Sequence, residues 1–388
     1  MNYWWILYII DIILFIPVAF TTFYFLVFAI AAQFSRHHDI PKAKRHNRFI
    51  VLIPAYRSDY VILQTVQSIL GQTYPQRMFD VVVISDHEEE LTNMHLKQQP
   101  ITLLTPNFEK STKAKSLQYA MLNLPEFKIY DVAVILDADN IVEPDFLEQL
   151  NDAYESAGTK AIQVHRLSKN RDTASARLDS IFEEINNSIF RKGHTTLGLS
   201  ATISGSGMAF DFSWFKTNIM FARTAGEDKE LEAMLMLQHI YVDYFEEIHV
   251  FDEKTRNINQ FNKQRGRWAA TQFHSLLHNI KYLPKAIINR EYDLIDKIIQ
   301  WMLVPRTIMM GIVSIMSIIL PFIYFALVIK WWTIAAVALF VFALATPNYL
   351  VDKNWDKDFL HTPKMITWAL INMFSVTRRS KRFININK

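Results

Sequence analysis

The 388-residue chain has no cysteine, which excludes a disulfide framework, a thiolate metal site and a cysteine nucleophile. Net charge is almost as scarce: 41 Lys and Arg stand against 38 Asp and Glu. A balance of +3 gives no global pull towards polyanions, so nucleic acid drops out as a partner. Charged residues make up only 20% of the chain and apolar ones 51%, too apolar for an ordinary soluble domain and too polar for a bundle of membrane spans alone. The composition implies a mixed architecture.

Three stretches reach the ~20 apolar residues needed to cross a bilayer. Residues 12–35 carry no charge and extend an apolar run broken only by Asp11. A cleaved signal peptide would have an apolar core of ~7 to 15 residues with basic residues before it, so residues 1–35 read as a retained, tilted anchor. Residues 307–329 and 331–351 are also uncharged, and Lys330 between them leaves room for a tight turn, giving a transmembrane hairpin over 307–351. Arg36, Lys42, Lys44, Arg45 and Arg48 follow the first span, whereas no Lys or Arg precedes it. With Arg378, Arg379, Lys381 and Arg382 they place the N-terminus outside and the central block in the cytosol. Residues 365–377 are too short to span and read as an interfacial helix before a basic tail, within 352–388. A channel or transporter has less support, since the spans carry no ionisable residue other than Asp11.

The cytosolic block, residues 36–256, alternates β-branched runs with helical patterns, the mark of a mainly parallel α/β sheet. Strands are expected at 49–53, 80–85, 100–104 and 131–136. Ligands in such sheets bind beyond the carboxyl ends of the strands. The residues found there are Pro54, Ala55, Tyr56, Asp86, Lys113, Asp137 and Asp139. Asp137 and Asp139 would offer hard oxygen ligands to Mg²⁺ or Mn²⁺ against a diphosphate, although Asp-x-Asp alone equally suits a turn before Pro144. His37, His38, His46, His87, His165 and His194 are scattered over separate elements, which speaks against a histidine metal site. His165, after the strand-like residues 161–164, is the one expected to touch an acceptor.

In order along the chain come Val51-Leu52-Ile53-Pro54-Ala55-Tyr56, Ser68-Ile69-Leu70-Gly71-Gln72-Thr73-Tyr74-Pro75, Asp86, Lys113-Ala114-Lys115-Ser116-Leu117-Gln118 and the Asp137/Asp139 pair. Ile203-Ser204-Gly205-Ser206-Gly207-Met208, Gly226-Glu227-Asp228 and Gln264-Arg265-Gly266-Arg267-Trp268 follow. Together they resemble the family 2 glycosyltransferases of GT-A fold, in the membrane-integral branch that includes cellulose and hyaluronan synthases. The tail Ser380-Lys381-Arg382-Phe383-Ile384 is similar to that of bacterial members, so the resemblance covers nearly the whole chain and implies a bacterial inner membrane. Two positions depart from the pattern. Ser85-Asp86-His87 stands where the family has two adjacent acids, and Gly226 replaces the threonine of Thr-Glu-Asp.

The resemblance implies an inverting, metal-dependent hexosyltransferase with a nucleotide-sugar donor, UDP being the expected nucleotide. Pro54, Ala55, Tyr56, Asp86, Lys113, Asp137, Gln264 and Arg267 would bind the donor, and Asp137 and Asp139 the metal. Asp228 would be the catalytic base with Glu227 beside it. Arg267 would neutralise the leaving diphosphate and Trp268 would stack on the acceptor. Gly205, Ser206 and Gly207 would lie under the acceptor, where missing side chains permit close approach. The Gln264–Trp268 pattern goes with polysaccharide synthesis. Three spans leave little material for a closed channel, so a second copy of the chain or a separate exporter would complete one. The segment 257–306 would form interfacial helices. Single addition to a lipid-linked or cell-envelope glycan is the alternative, and a catalytically inactive membrane scaffold is the rival of another class.

Overall fold

Val51, Ile53, Val81 and Val83 alternate with Ile50, Leu52, Val82 and Ile84 along two neighbouring strands, and all are buried. Such strands have no solvent face and must be covered on both sides, as parallel strands are. The computed structural model describes residues 4–35, 39–125 and 127–351. The strands are β1 (Phe49–Tyr56), β2 (Phe79–Asp86), β3 (Thr102–Leu104), β4 (Val132–Ile135), β5 (Ile141–Val142), β6 (Ala161–Ser168), β7 (Met208–Asp211) and β8 (Val242–Asp252). They form one 8-stranded sheet in the order β3-β2-β1-β4-β7-β6-β8-β5. β1 runs parallel to β2 and β4, β2 to β3, and β6 to β8. The antiparallel pairs are β4 with β7, β6 with β7 and β5 with β8.

Period-2 alternation feeds two cores. Ile50, Leu52 and Ile135 pack with Leu117 and Met121 of the Lys113–Asn123 helix and Leu231 and Leu235 of the Glu227–Leu237 helix. Phe49, Val51 and Ile53 pack with Val66 and Ile69 of the Ile62–Leu70 helix and Phe146 and Leu150 of the Phe146–Ala157 helix. The result is a mostly parallel, GT-A-like α/β sheet. The expected strands at 49–53, 80–85, 100–104 and 131–136 all appear, and β1 continues to Tyr56.

Among the described residues three helices are long and apolar enough to cross a membrane: Trp5–Gln33, Arg306–Ile323 and Phe325–Ala345. The first begins at Trp4 and has 30 residues, about 45 Å at 1.5 Å per residue. It docks tightly on the sheet domain: a Cβ on Gly193 would stand 2.2 Å from the Phe28 carbonyl oxygen, so only glycine admits this approach. The turn of the hairpin differs from the sequence expectation. The Arg306–Ile323 helix ends before Tyr324, a 3₁₀ turn spans Phe325–Leu327, and Lys330 lies inside the Val328–Ala345 helix. Its ammonium bonds Asp11 Oδ2 of the first helix, and Trp331 Nε1 donates to Asp11 Oδ1 at 2.8 Å. A cation with a carboxylate at its own level has no need to mark a turn. Residues 365–377 and the basic tail lie outside the described residues.

Candidate active site

β4 points its carboxyl end at Leu136 and Asp137, and antiparallel β7 runs beside it, so the residues leading into Met208 lie against the Asp137–Asp139 turn. Asp137 N–H donates to Asn140 Oδ1 at 2.8 Å and to Ser206 Oγ at 3.2 Å. Ser206 also donates to Asn140 Oδ1 and is wholly buried. It therefore shapes the acidic turn from behind.

In front of this turn opens a cleft of about 690 Å³. It gathers Pro54 and Tyr56 of β1, Lys113 at a helix start, Asp137, Asp139, Gly205, and Glu227 and Asp228 at another helix start. Gln264, Arg267 and Trp268 of the Ile258–Asn279 helix complete that wall. Gln264 and Arg267 are one helical turn apart and share a face. Lys113 Nζ lies 2.5 Å from Asp137 Oδ1, 2.5 Å from the Gly205 carbonyl and 3.9 Å from Glu227 Oε1. Burial opposes its charge, but Asp137 and Glu227 prevail and hold the ammonium above its ordinary range. Burial pushes the Glu227 carboxyl up to about 8, Lys113 resisting and Asp228 adding to the push. Burial draws the Arg267 guanidinium below its ordinary range, against Glu227, Asp228 and Asp137.

The residues of this cleft fall in and around residues 46–271, which match the family described as "Glycosyltransferase like family 2". The chain belongs to the family 2 glycosyltransferases. The fold is similar to that of a mannosyltransferase from Pyrobaculum calidifontis, solved with GDP-Man and Mn²⁺: TM-score 0.59, 14% identity, 94% of this chain and 98% of that one covered. Residues 1–349 of TarS from S. aureus, solved with UDP-GlcNAc, align at TM-score 0.46 and 13% identity, covering 88% of this chain and 95% of that one. No curated protein sequence matches the chain.

Not every expected residue of this glycosyltransferase reaches the cleft. Ala55 faces the core, as strand alternation requires. A Cβ on Gly207, at φ +63°, would stand 2.9 Å from Val164 Cγ2, and neither Gly207 nor Ser206 lines the cleft. His165 sits where β6 and β8 shift register, with Nε2 3.0 Å from Glu184 Oε1 and Nδ1 3.1 Å from the Glu246 carbonyl. Both ring nitrogens are engaged, and the ring does not line the cleft. Asp86 is fully buried beside it: β1–β2 register pairs it with Tyr56, His87 Nδ1 is 2.6 Å from Oδ1, and Oδ2 has no hydrogen-bond partner.

Among the described residues no three His, Cys, Asp or Glu side chains converge as a metal cage. Asp137 and Asp139 would hold a hard cation only in part, leaving the other positions to diphosphate oxygens and water, the usual division for Mg²⁺ and similar ions. That donor set fits the metal the family implies.

Sequence reading missed a second wall. Arg166, Arg191, Lys254, Arg265 and Arg306 line the cleft together with Asp179, Glu183 and Asp252. Asp179 and Glu183 share the Ala174–Asn186 helix and Asp252 and Lys254 are two apart, but Arg166, Arg265 and Arg306 stand on elements far apart in the sequence, and no motif joins these places. The one available signal was Arg306, a cation between Pro305 and an apolar span.

Proposed function

We propose that the chain is a metal-dependent, inverting glycosyltransferase that moves a sugar from a nucleotide-diphosphate donor, expected to carry UDP, to an acceptor presented at the membrane. The observation that carries this reading is the gathering of Asp137, Asp139, Asp228 and Arg267 in one cleft from three distant parts of the sequence. Asp228 takes the proton of the acceptor hydroxyl as its oxygen attacks the anomeric carbon. The bond from that carbon to the diphosphate oxygen breaks, and its electron pair leaves with the nucleotide. One displacement inverts the centre. Burial raises the Glu227 carboxyl beside the base, and Arg267, whose buried guanidinium has lost solvation, gains from an anion arriving next to it. Asp137 and Asp139 would hold a divalent cation, which would supply charge neutralisation to the leaving diphosphate.

The three apolar helices act in this reading as membrane spans, with the N-terminus outside and the catalytic domain cytosolic. Phe25, Val304 and Ile308, from or beside two of those helices, line the same cleft as the acids. This continuity favours single addition to a lipid-linked acceptor over the polymer synthesis that the Gln264–Trp268 pattern suggests.

The test is nucleotide release by the full chain in detergent, across UDP- and GDP-sugars with Mg²⁺ or Mn²⁺, with product sizing. Turnover with one donor should fall on the order of 10²–10⁴-fold in Asp228→Asn. An Asp228→Asn enzyme with undiminished turnover would remove the base from Asp228, and failure to bind any nucleotide would leave the scaffold reading.

A further inference from the structure

At the end of the cleft nearest the apolar helices, four of five cations have a carboxylate. Arg166 lies 2.7 Å and Lys254 2.9 Å from Asp252, Arg191 3.1 Å from Glu183, and Arg265 2.6 Å from Asp179. Glu253, which also lines the cleft, is held by Arg256 at 2.5 Å. Among the described residues Arg306 has no carboxylate partner. Its Nη2 donates to Asn186 Oδ1 at 2.7 Å and to the Phe182 carbonyl at 3.3 Å, both neutral, and its Nη1 is buried without a partner. Arg265 and Arg306 lie 4.8 and 5.2 Å from the centre of the same Phe182 ring. Two guanidinium groups that share one ring, with the Asp179 carboxylate paired to Arg265 alone, leave an unmet demand for an anion.

Of the buried atoms without a hydrogen-bond partner on residues lining this cleft, Gln264 Oε1 and Asp252 Oδ1 are acceptors, the latter 2.9 Å from Lys254 Nζ, and Arg166 Nε, Arg265 Nε, Trp301 Nε1 and Arg306 Nη1 are donors. A group rich in acceptor oxygens would satisfy these donors, whereas a neutral hydroxyl brings a proton of its own. Arg306 is also the first residue of the Arg306–Ile323 helix, and Phe25, Val304 and Ile308 carry the lining from it onto apolar ground.

We propose that the acceptor is a phosphate-bearing lipid, its phosphate held by Arg306 and Arg265 and its hydrocarbon chain leaving between the Trp4–Gln33 and Arg306–Ile323 helices. The proposal rests on the reading of sugar transfer to an acceptor at the membrane. It adds the chemistry of the acceptor and the residues that select it.

The test measures binding to the full chain in an uncharged detergent. The probes are a long-chain alkyl phosphate, the alcohol of the same chain, inorganic phosphate, and UDP or GDP with Mn²⁺. Wild type should prefer the alkyl phosphate over the alcohol by about tenfold or more. Arg306→Gln should erase that preference, Arg306→Lys should keep a weaker one because the planar fork is lost, and nucleotide affinity should stay the same in all three. An unchanged preference in Arg306→Gln overturns the proposal. Inorganic phosphate binding as tightly as the alkyl phosphate overturns it in favour of a free-anion site, and an equal fall in nucleotide affinity assigns the wall to the donor diphosphate. Should the glutamine variant fail to fold, an undiminished preference in Arg306→Lys overturns it as well. Normal alkyl phosphate binding with no binding of UDP or GDP would sink the transferase reading and leave the lipid site standing.

Discussion

At the strand end of the cleft Asp137 leaves 38% of its side chain exposed and shares one ammonium, Lys113, with Glu227. At the helix end Glu183, Arg191 and Lys254 keep 6%, 3% and 4% of theirs, and each is paired. The first region carries an excess of carboxylate where solvent and ligand reach it. The second has neutralised its charges and closed over them. Buried, matched ions hold elements in place, while unmatched ones beside a cavity are where a ligand completes the balance. Arg306 is instructive because it belongs by position to the matched region and by partnership to the unmatched one.

The sharpest way to break this comparison is to remove one carboxylate from each region. Asp139→Asn should lower transfer on the order of 10²–10³-fold, by weakening charge neutralisation on the leaving group, and leave the melting temperature close to wild type. Glu183→Gln should do the reverse. With Arg191 left without its carboxylate and Lys254 left with Asp252 alone, it should cost about 3–5 kcal/mol of stability, while transfer per folded molecule is largely kept. Thermal melts and donor turnover on the same preparations decide the matter. An Asp139→Asn protein that unfolds, or a Glu183→Gln protein that is stable and inactive, would dissolve the distinction.

A smaller effect tests how the strand-end wall is assembled. Gly226 stands where the family pattern has threonine, and a Cβ there would fall 2.2 Å from Thr271 Cγ2 and 3.4 Å from Thr271 Cβ. Thr271 Oγ1 in turn donates to the Arg267 carbonyl at 3.1 Å. The space a side chain at position 226 would fill is thus taken by the helix that carries Gln264, Arg267 and Trp268. Gly226→Ala should overpack this contact at a cost of about 1–3 kcal/mol, since β-branched Thr271 has little rotamer freedom in a helix. Adding Thr271→Ala should recover most of the loss. Strict additivity in a double-mutant cycle would show that the two residues do not share the space.

The strand end was far more legible in the sequence than the helix end. β1, β2 and β4 announce themselves because strands covered on both faces are continuous β-branched runs, and their carboxyl ends then point to Tyr56 and Asp137 without further information. β7 has only four residues, Met208–Asp211, and gave no comparable signal, so the antiparallel insertion that sets Ser206 behind the acidic turn went unseen. His165 looked like an acceptor contact because its partner Glu184 lies on the Ala174–Asn186 helix, and only the fold brings the two together. Lys330 looked like a turn because its partner, Asp11, lies 319 positions earlier. In each case the missing information was a contact between residues distant in sequence, which neither periodicity nor motif spacing encodes.

The smallest expected effect concerns the rim of the strand end, where Ser58 lines the cleft and its N–H donates to both carboxyl oxygens of Glu88 at 2.7 Å. Burial pushes Glu88 up from 4.5 to about 8; the Ser58 N–H pulls it down, and Asp59 and Asp86 push it further up. Between those two values the folded chain keeps a proton that the unfolded chain has released. The contribution of this group to stability is therefore complete below about 4.5 and declines as pH rises towards 8. Glu88→Gln carries no such titration. Melting temperatures of the metal-free protein taken from about pH 5 to about pH 8 should show wild type losing ground to Glu88→Gln by a few degrees, with the gap widening steadily. Parallel curves would mean that Glu88 titrates like an exposed carboxylate, and that the loop carrying Ser58 is held by something other than this buried acid.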